Sequence, residues 1–138
     1  KNSELRTIAE EALQLAHKEM ESFGFQRALE QIWKIISGAN RYIESNAPWK
    51  LAKSVDPADQ GRLRDVLLHC QEGLRVASLF LVPFIPKSAT QALMYLGDCE
   101  SLEQRAPLTD FARWGKGPEK IRITKGDPLF PRIELEKT

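Results

Sequence analysis

The chain has 138 residues, 42% of them apolar and 28% charged, which fits one domain around a single hydrophobic core and excludes a disordered chain. Twenty basic side chains against 19 acidic ones leave a net charge of +1, so no overall field draws in a polyanion and any nucleic-acid binding has to come from a local arrangement. Two cysteines, Cys70 and Cys99, with no CxxC and no His-rich partner segment, exclude a disulfide scaffold and a zinc-ligand pattern and point to a reduced, cytoplasmic setting.

Lys1-Asn2-Ser3 leads straight into a helical pattern with no charged leader or cleavage site, so the sequence is expected to begin inside a larger protein. From about 3 to 22, Leu5, Ile8, Ala12, Leu15 and Met20 recur at helical spacing, and Phe23-Gly24 stops the run. A second helix, about 25–45, carries Phe25, Leu29, Ile32, Ile36, Ala39 and Ile43. A second stripe of Trp33, Ile36, Asn40 and Ile43 widens its apolar face, as for a helix buried on two sides. Asn46-Ala47-Pro48-Trp49 breaks the period, because proline cannot donate to the helix ladder and pushes its predecessor out of the α region; a bend is expected near Pro48.

Asp56-Pro57 supplies a capping residue followed by proline at the first helical position, and Leu63, Val66, Leu67, Cys70, Leu74, Ala77 and Leu81 continue a third helix over about 57–82. The longest apolar stretch, Ala77 to Phe84, is interrupted by Ser78 and Pro83 and is far short of a membrane span. After the rigid corner Pro83-Phe84-Ile85-Pro86, a fourth helix over about 86–96 carries Ala89, Ala92, Leu93 and Leu96 and stops at Gly97. From Asp98 onward prolines and glycines punctuate short pieces, of which Lys120 to Thr124 alternates like a small strand. The expected fold is all-α: an antiparallel helix bundle over 1–97, and an irregular C-terminal strap over 98–138 that packs back on the bundle or on another domain.

Several collinear stretches resemble one family. Asn40-Arg41-Tyr42-Ile43-Glu44, then Ala47-Pro48-Trp49-Lys50-Leu51-Ala52-Lys53, Glu72-Gly73-Leu74-Arg75, Pro83-Phe84-Ile85-Pro86-Lys87, Leu96-Gly97 and Asp127-Pro128-Leu129-Phe130-Pro131-Arg132-Ile133-Glu134 are similar to the anticodon-binding domains of methionyl-tRNA synthetases, class I enzymes. Asn-x-Tyr alone is a weak motif; the PWxLAK block, the PFIP corner and the terminal PLFPRIE in this order are specific. The resemblance implies a C-terminal bundle that reads the CAU anticodon of methionine tRNA, with Trp49 as a stacking platform and Asn40 and Glu44 supporting the same loop contacts. Glu44 occupies a position that is Asp in part of the family. The PLFPRIE ending implies a mechanical tie toward the catalytic domain, which would hold ATP and Mg; no cofactor or metal site is expected in this segment. The family's first bundle helix, with its Asn-x-x-x-Arg pair, should lie before Lys1, so self-association through the groove it leaves is expected.

The residues themselves suit this chemistry. Recognising an unpaired loop needs a flat apolar face, groups for base edges and cations for phosphates. Trp49 follows a helix end, Asn40 and Glu44 lie one turn apart on one helix face, and Arg41, Lys50 and Lys53 are candidate phosphate contacts. The plainer alternatives are a Trp49 that plugs the turn, an Asn40 that is buried and holds a loop backbone, and a Glu44 that is a solvated or capping charge. Trp33 and Trp114 are read as structural, Trp114 anchoring the strap. His17 and His69 lie on separate helices with no metal-ligand spacing.

HIGH, KMSKS, GxxxxGK[ST], GxSxG and HExxH are all absent, so this segment carries no catalytic motif. Two other readings stay open: a stand-alone helical protein-interaction domain derived from this fold, and the anticodon domain of another class I synthetase.

Overall fold

The computed structural model describes residues 3–99, 110 and 112–134. They form an all-helical bundle of α1 (Glu4–Glu21), α2 (Phe25–Asn46), α3 (Pro48–Leu51), α4 (Pro57–Leu81) and α5 (Pro86–Tyr95). The four long helices fall within two residues of the sequence expectation; α3, a single turn after Pro48, was not anticipated.

Local chemistry sets the boundaries. Ser3 caps α1 by accepting a hydrogen bond from the Arg6 amide at 3.2 Å. Asp56 caps α4 through the Ala58 amide at 2.9 Å, with Pro57 in the first turn where its missing N–H costs nothing. Between α1 and α2 the left-handed residue is Phe23 (φ 59°) and not its glycine neighbour. Phe23 is exposed and meets Phe25 edge-on at 6.2 Å, and Phe25 in turn meets Phe84 of the α4–α5 corner at 6.4 Å.

The core lies between α1, α2 and the second half of α4. Ala9, Ala12, Leu13 and Ala16 of α1 face Ala28, Ile32 and Ile35 of α2 and Val76, Ala77, Leu79 and Phe80 of α4. Leu93 of α5 and Ala112 of the strap complete it. Small residues on α1 let the helices approach closely, so the larger side chains of α2 and α4 fill the centre.

Four apolar residues expected on buried stripes are largely exposed. Trp33 is 62% exposed, because α2 packs through Ile32 and Ile35 and the adjacent position 33 is turned about 100° away from that face. Leu15 and Leu67 are 47% and 49% exposed for the same reason, whereas Phe25, seven residues from Ile32 and on its face, is 48% exposed because it is the first residue of α2. Asn40, placed by sequence in a wide apolar stripe, is also exposed.

Arg75 stands at the centre with no exposed surface. It donates to Glu72 at 2.8 and 2.7 Å and to the Arg113 carbonyl at 2.9 Å, and its guanidinium lies 3.5 Å from Asp98. Glu72 also accepts from the Gly115 amide at 2.7 Å. Burial works against the charge of Arg75, but the bonds to Glu72 and the charge of Asp98 outweigh it and raise its pKa above the ordinary value. The strap is thereby tied to the bundle through α4.

Two glycines admit this crossing. Gly97 has φ +82°, and a Cβ there would come within 2.9 Å of the Arg122 backbone. A Cβ at Gly117 would meet Arg75 Nε at 2.9 Å and Glu72 Oε2 at 3.0 Å. The expected strand at 120–124 is not formed: the described residues offer it no partner strand, and Thr124 donates instead to the carbonyl of Tyr95, the last residue of α5, at 2.9 Å. In the PLFPRIE ending Phe130 and Ile133 are 70% and 85% exposed, so Phe130 does not anchor on this bundle. The remainder of the 98–138 extension lies outside the described residues.

Candidate nucleic-acid interface

The last turn of α2 is built to end abruptly. The Ala47 amide still donates to the Ile43 carbonyl at 2.9 Å, but Ala47 itself adopts φ 42°, ψ 61°, a left-handed conformation, and Pro48 then starts α3. Asn46 donates to the Tyr42 carbonyl at 2.8 Å and accepts from Arg62 of α4 at 3.3 Å. Gln60 closes the far side of the loop by donating to the carbonyls of Ser54 at 2.5 Å and Leu51 at 3.3 Å. The corner is therefore fixed from both ends by backbone and side-chain amide bonds.

Trp49 projects from this corner 53% exposed, so it is not a plug beneath the turn. Lys50 beside it and Lys53 just beyond are exposed as well. Asn40 and Glu44, four residues apart on α2, are both exposed and lie one turn apart on the same helix face. Arg41 is exposed on the flank of that face and lines a cavity of about 220 Å³ with Leu5, Ile8, Gly38, Tyr42 and Ser45. All six predicted residues are exposed: Asn40, Arg41 and Glu44 on the last turns of α2, Trp49 and Lys50 on α3, and Lys53 two residues past its end.

An exposed aromatic of this helix, Trp33, was not among the six. Trp33 lies seven residues before Asn40, two turns along the same face. The spacing 33, 40, 44 was available as a signal, but an aromatic within a helical period reads first as core.

Tyr42 is partly buried behind this surface. Its phenol pKa is raised by burial first, then by the neighbouring Cys70 and Asp65, with Arg62 opposing, so the neutral hydroxyl is the stable form. Trp114 packs against the core, as expected of a strap anchor, and stacks on His69. His17 lies 3.6 Å from Glu21 on α1. Among the described residues no group of three or more His, Cys, Asp or Glu could hold a metal ion, and no helix is long and apolar enough to cross a membrane. A larger cavity of about 480 Å³ lies between α1 and the strap, lined by Leu13, His17, Phe80 and Trp114 among others, and contains none of the six residues. Its lining offers no grouping that suggests a reaction, so the accessible α2–α3 surface is the better candidate.

No family model matches the chain. It is 39% identical over 134 residues to the methionine–tRNA ligase of Bacillus subtilis (strain 168), covering 96% of this chain and 19% of that protein. It is 35% identical over 136 residues to the methionine–tRNA ligase of Lactococcus lactis subsp. lactis, covering 99% of this chain and 20% of that protein. The crystal structure of the free-state methionyl-tRNA synthetase of Mycobacterium tuberculosis superposes with a TM-score of 0.79 at 30% identity, over 95% of this chain and 26% of that one. The same enzyme in complex with methionyl-adenylate superposes equally well, at 0.79. The chain spans about a fifth of the length of these curated relatives. Over nearly its whole length it is therefore homologous to one helical segment of the methionyl-tRNA synthetases.

Proposed function

We propose that this chain is the anticodon-recognition module of a methionine–tRNA ligase, in which the α2–α3 corner fits the CAU loop of methionine tRNA. The bundle over 1–97 is the recognition domain, and the extension over 98–138 ties it to the catalytic domain. ATP-dependent attachment of methionine, with Mg, belongs to that other part of the enzyme, in the cytoplasm. The observation that carries this reading is Trp49: an indole left half exposed by a corner whose backbone is fixed on both sides.

Each component has a physical role. Trp49 offers a face on which an unstacked base can rest, worth about 1–3 kcal/mol. Asn40 presents both a donor and an acceptor, and Glu44 an acceptor, to base edges. Arg41, Lys50 and Lys53 meet phosphates without reading sequence.

The test is binding of methionine tRNA by the full-length protein, against the same tRNA with a changed anticodon. Loss of affinity on changing CAU, and a loss of about tenfold or more in Trp49→Ala, are the expected results. Equal affinity for both anticodons would overturn the reading. One observation favours a second reading: Trp33, exposed in mid-helix, suits a helical protein-interaction surface. Salt separates the two, because phosphate contacts weaken steeply with ionic strength and helix-in-groove docking hardly changes.

A further inference from the structure

Three rings from three separate parts of the chain form one column behind the α2 corner. Tyr42 of α2 meets His69 of α4 edge-on, with centroids 6.1 Å apart and planes at 77°. His69 in turn lies nearly parallel to Trp114 of the strap, at 6.0 Å and 27°. Tyr42 sits between Arg41 and Glu44 in sequence, and its carbonyl accepts from Asn46 at 2.8 Å and Ser45 at 3.2 Å. Whatever fixes Tyr42 therefore fixes the turn that carries the predicted RNA contacts and leads into Ala47.

Trp114 cannot leave the column alone. The residues on either side of it are bound to the buried pair on α4: the Arg113 carbonyl accepts from Arg75 at 2.9 Å, and the Gly115 amide donates to Glu72 at 2.7 Å. His69, Glu72 and Arg75, at successive turns of α4, all reach the strap at 113–115, so this short segment docks or releases as a unit. His69 Nδ1 is buried and meets no hydrogen-bond partner among the described residues. An apolar ring would pack there without that loss, so the column asks for a flat ring at this position and not for its nitrogen.

We propose that the strap is a positioning element for RNA recognition: docked Trp114 fixes His69, His69 fixes Tyr42, and Tyr42 holds Asn40, Arg41 and Glu44 in register. This rests on the anticodon-recognition reading and adds that His69, Tyr42 and Trp114 are positioning residues which do not themselves touch RNA. Linkage makes the effect reciprocal: if a docked strap tightens RNA binding by some factor, bound RNA tightens the strap by the same factor.

Amide hydrogen exchange on the full-length protein tests this, with an RNA hairpin carrying CAU in its loop as the probe. Saturating hairpin should slow exchange at the Gly115 amide by about fivefold or more. The Gly24 amide, at the far turn between α1 and α2, should be unaffected. His69→Ala should remove the slowing at Gly115 and weaken hairpin binding by the same factor, whereas His69→Phe should keep both. If His69→Ala does not fold, the wild-type measurement decides alone: bound hairpin with unchanged exchange at Gly115 overturns the inference and leaves anticodon recognition standing. Failure of the wild-type protein to bind the hairpin overturns the recognition reading, and the positioning role with it.

Discussion

Arg75 and Glu72, one turn apart on α4, share two hydrogen bonds, and Arg75 has no exposed surface. Taking one partner away leaves a buried charge short of its compensation, which in such pairs costs about 3–5 kcal/mol. Glu72→Ala should lose stability on this scale in chemical denaturation. It should also release the Gly115 amide to rapid exchange, since Glu72 is its acceptor.

The cations at the corner make a separate prediction, because each phosphate neutralised on single-stranded RNA steepens the fall of log affinity with log salt by about 0.7. Arg41→Ala, Lys50→Ala and Lys53→Ala, measured one at a time across a salt series with methionine tRNA, should each flatten the slope by about that amount. They should leave anticodon preference unchanged. A flat salt dependence in the unaltered protein would move the weight to the protein-interaction reading.

Trp33 leaves a large indole in water midway along α2. In the protein-interaction reading this face is a second route to self-association beside the groove expected from the sequence, and the purified segment should associate through it as its concentration rises, in sedimentation velocity. Trp33→Gln should weaken that association while leaving the melting temperature nearly unchanged, because the side chain contributes little to the bundle core.

Alkaline stability follows from two raised pKa values. Burial raises the Cys70 thiol above its ordinary 9.0, and burial with nearby Cys70 and Asp65 raises the Tyr42 phenol above 10.0. Both groups hold their protons more tightly folded than unfolded. Their contribution is therefore complete below the unfolded values and is lost as pH rises through the folded ones. Denaturation at increasing pH should show the contribution of these two groups intact through neutrality and falling above about pH 9, and Cys70→Ala should remove the earlier part of the fall.

Much of the fold was legible because its punctuation is chemical. Asp56-Pro57, Pro86 and Gly97 each mark a boundary by what their backbone can or cannot do: α4 and α5 start at the two prolines, and α5 ends just before Gly97. Trp33, Leu15 and Leu67 were misjudged because a 3.6-residue period says which residues share a face but not how many faces a bundle covers. The Arg75–Glu72–strap tie was invisible for another reason: it joins residues 38 and 43 positions apart, and the composition of neither segment hints at the other. The corner at Trp49 was readable from Pro48 alone. The ring column behind it was not, since Tyr42, His69 and Trp114 each look ordinary in their own segments.

Ala47 carries a last consequence. An L residue other than glycine occupies the left-handed region at a cost of about 1–2 kcal/mol, and here it does so at the hinge point between α2 and α3. That strain is borne during folding, before any ligand arrives. In the anticodon-recognition reading the indole then has no backbone freedom left to surrender when a base lands on it, so more of the stacking energy survives as affinity. Ala47→Gly would relax the strain and return that freedom, giving a bend that is easier to form and a platform that is less well aimed.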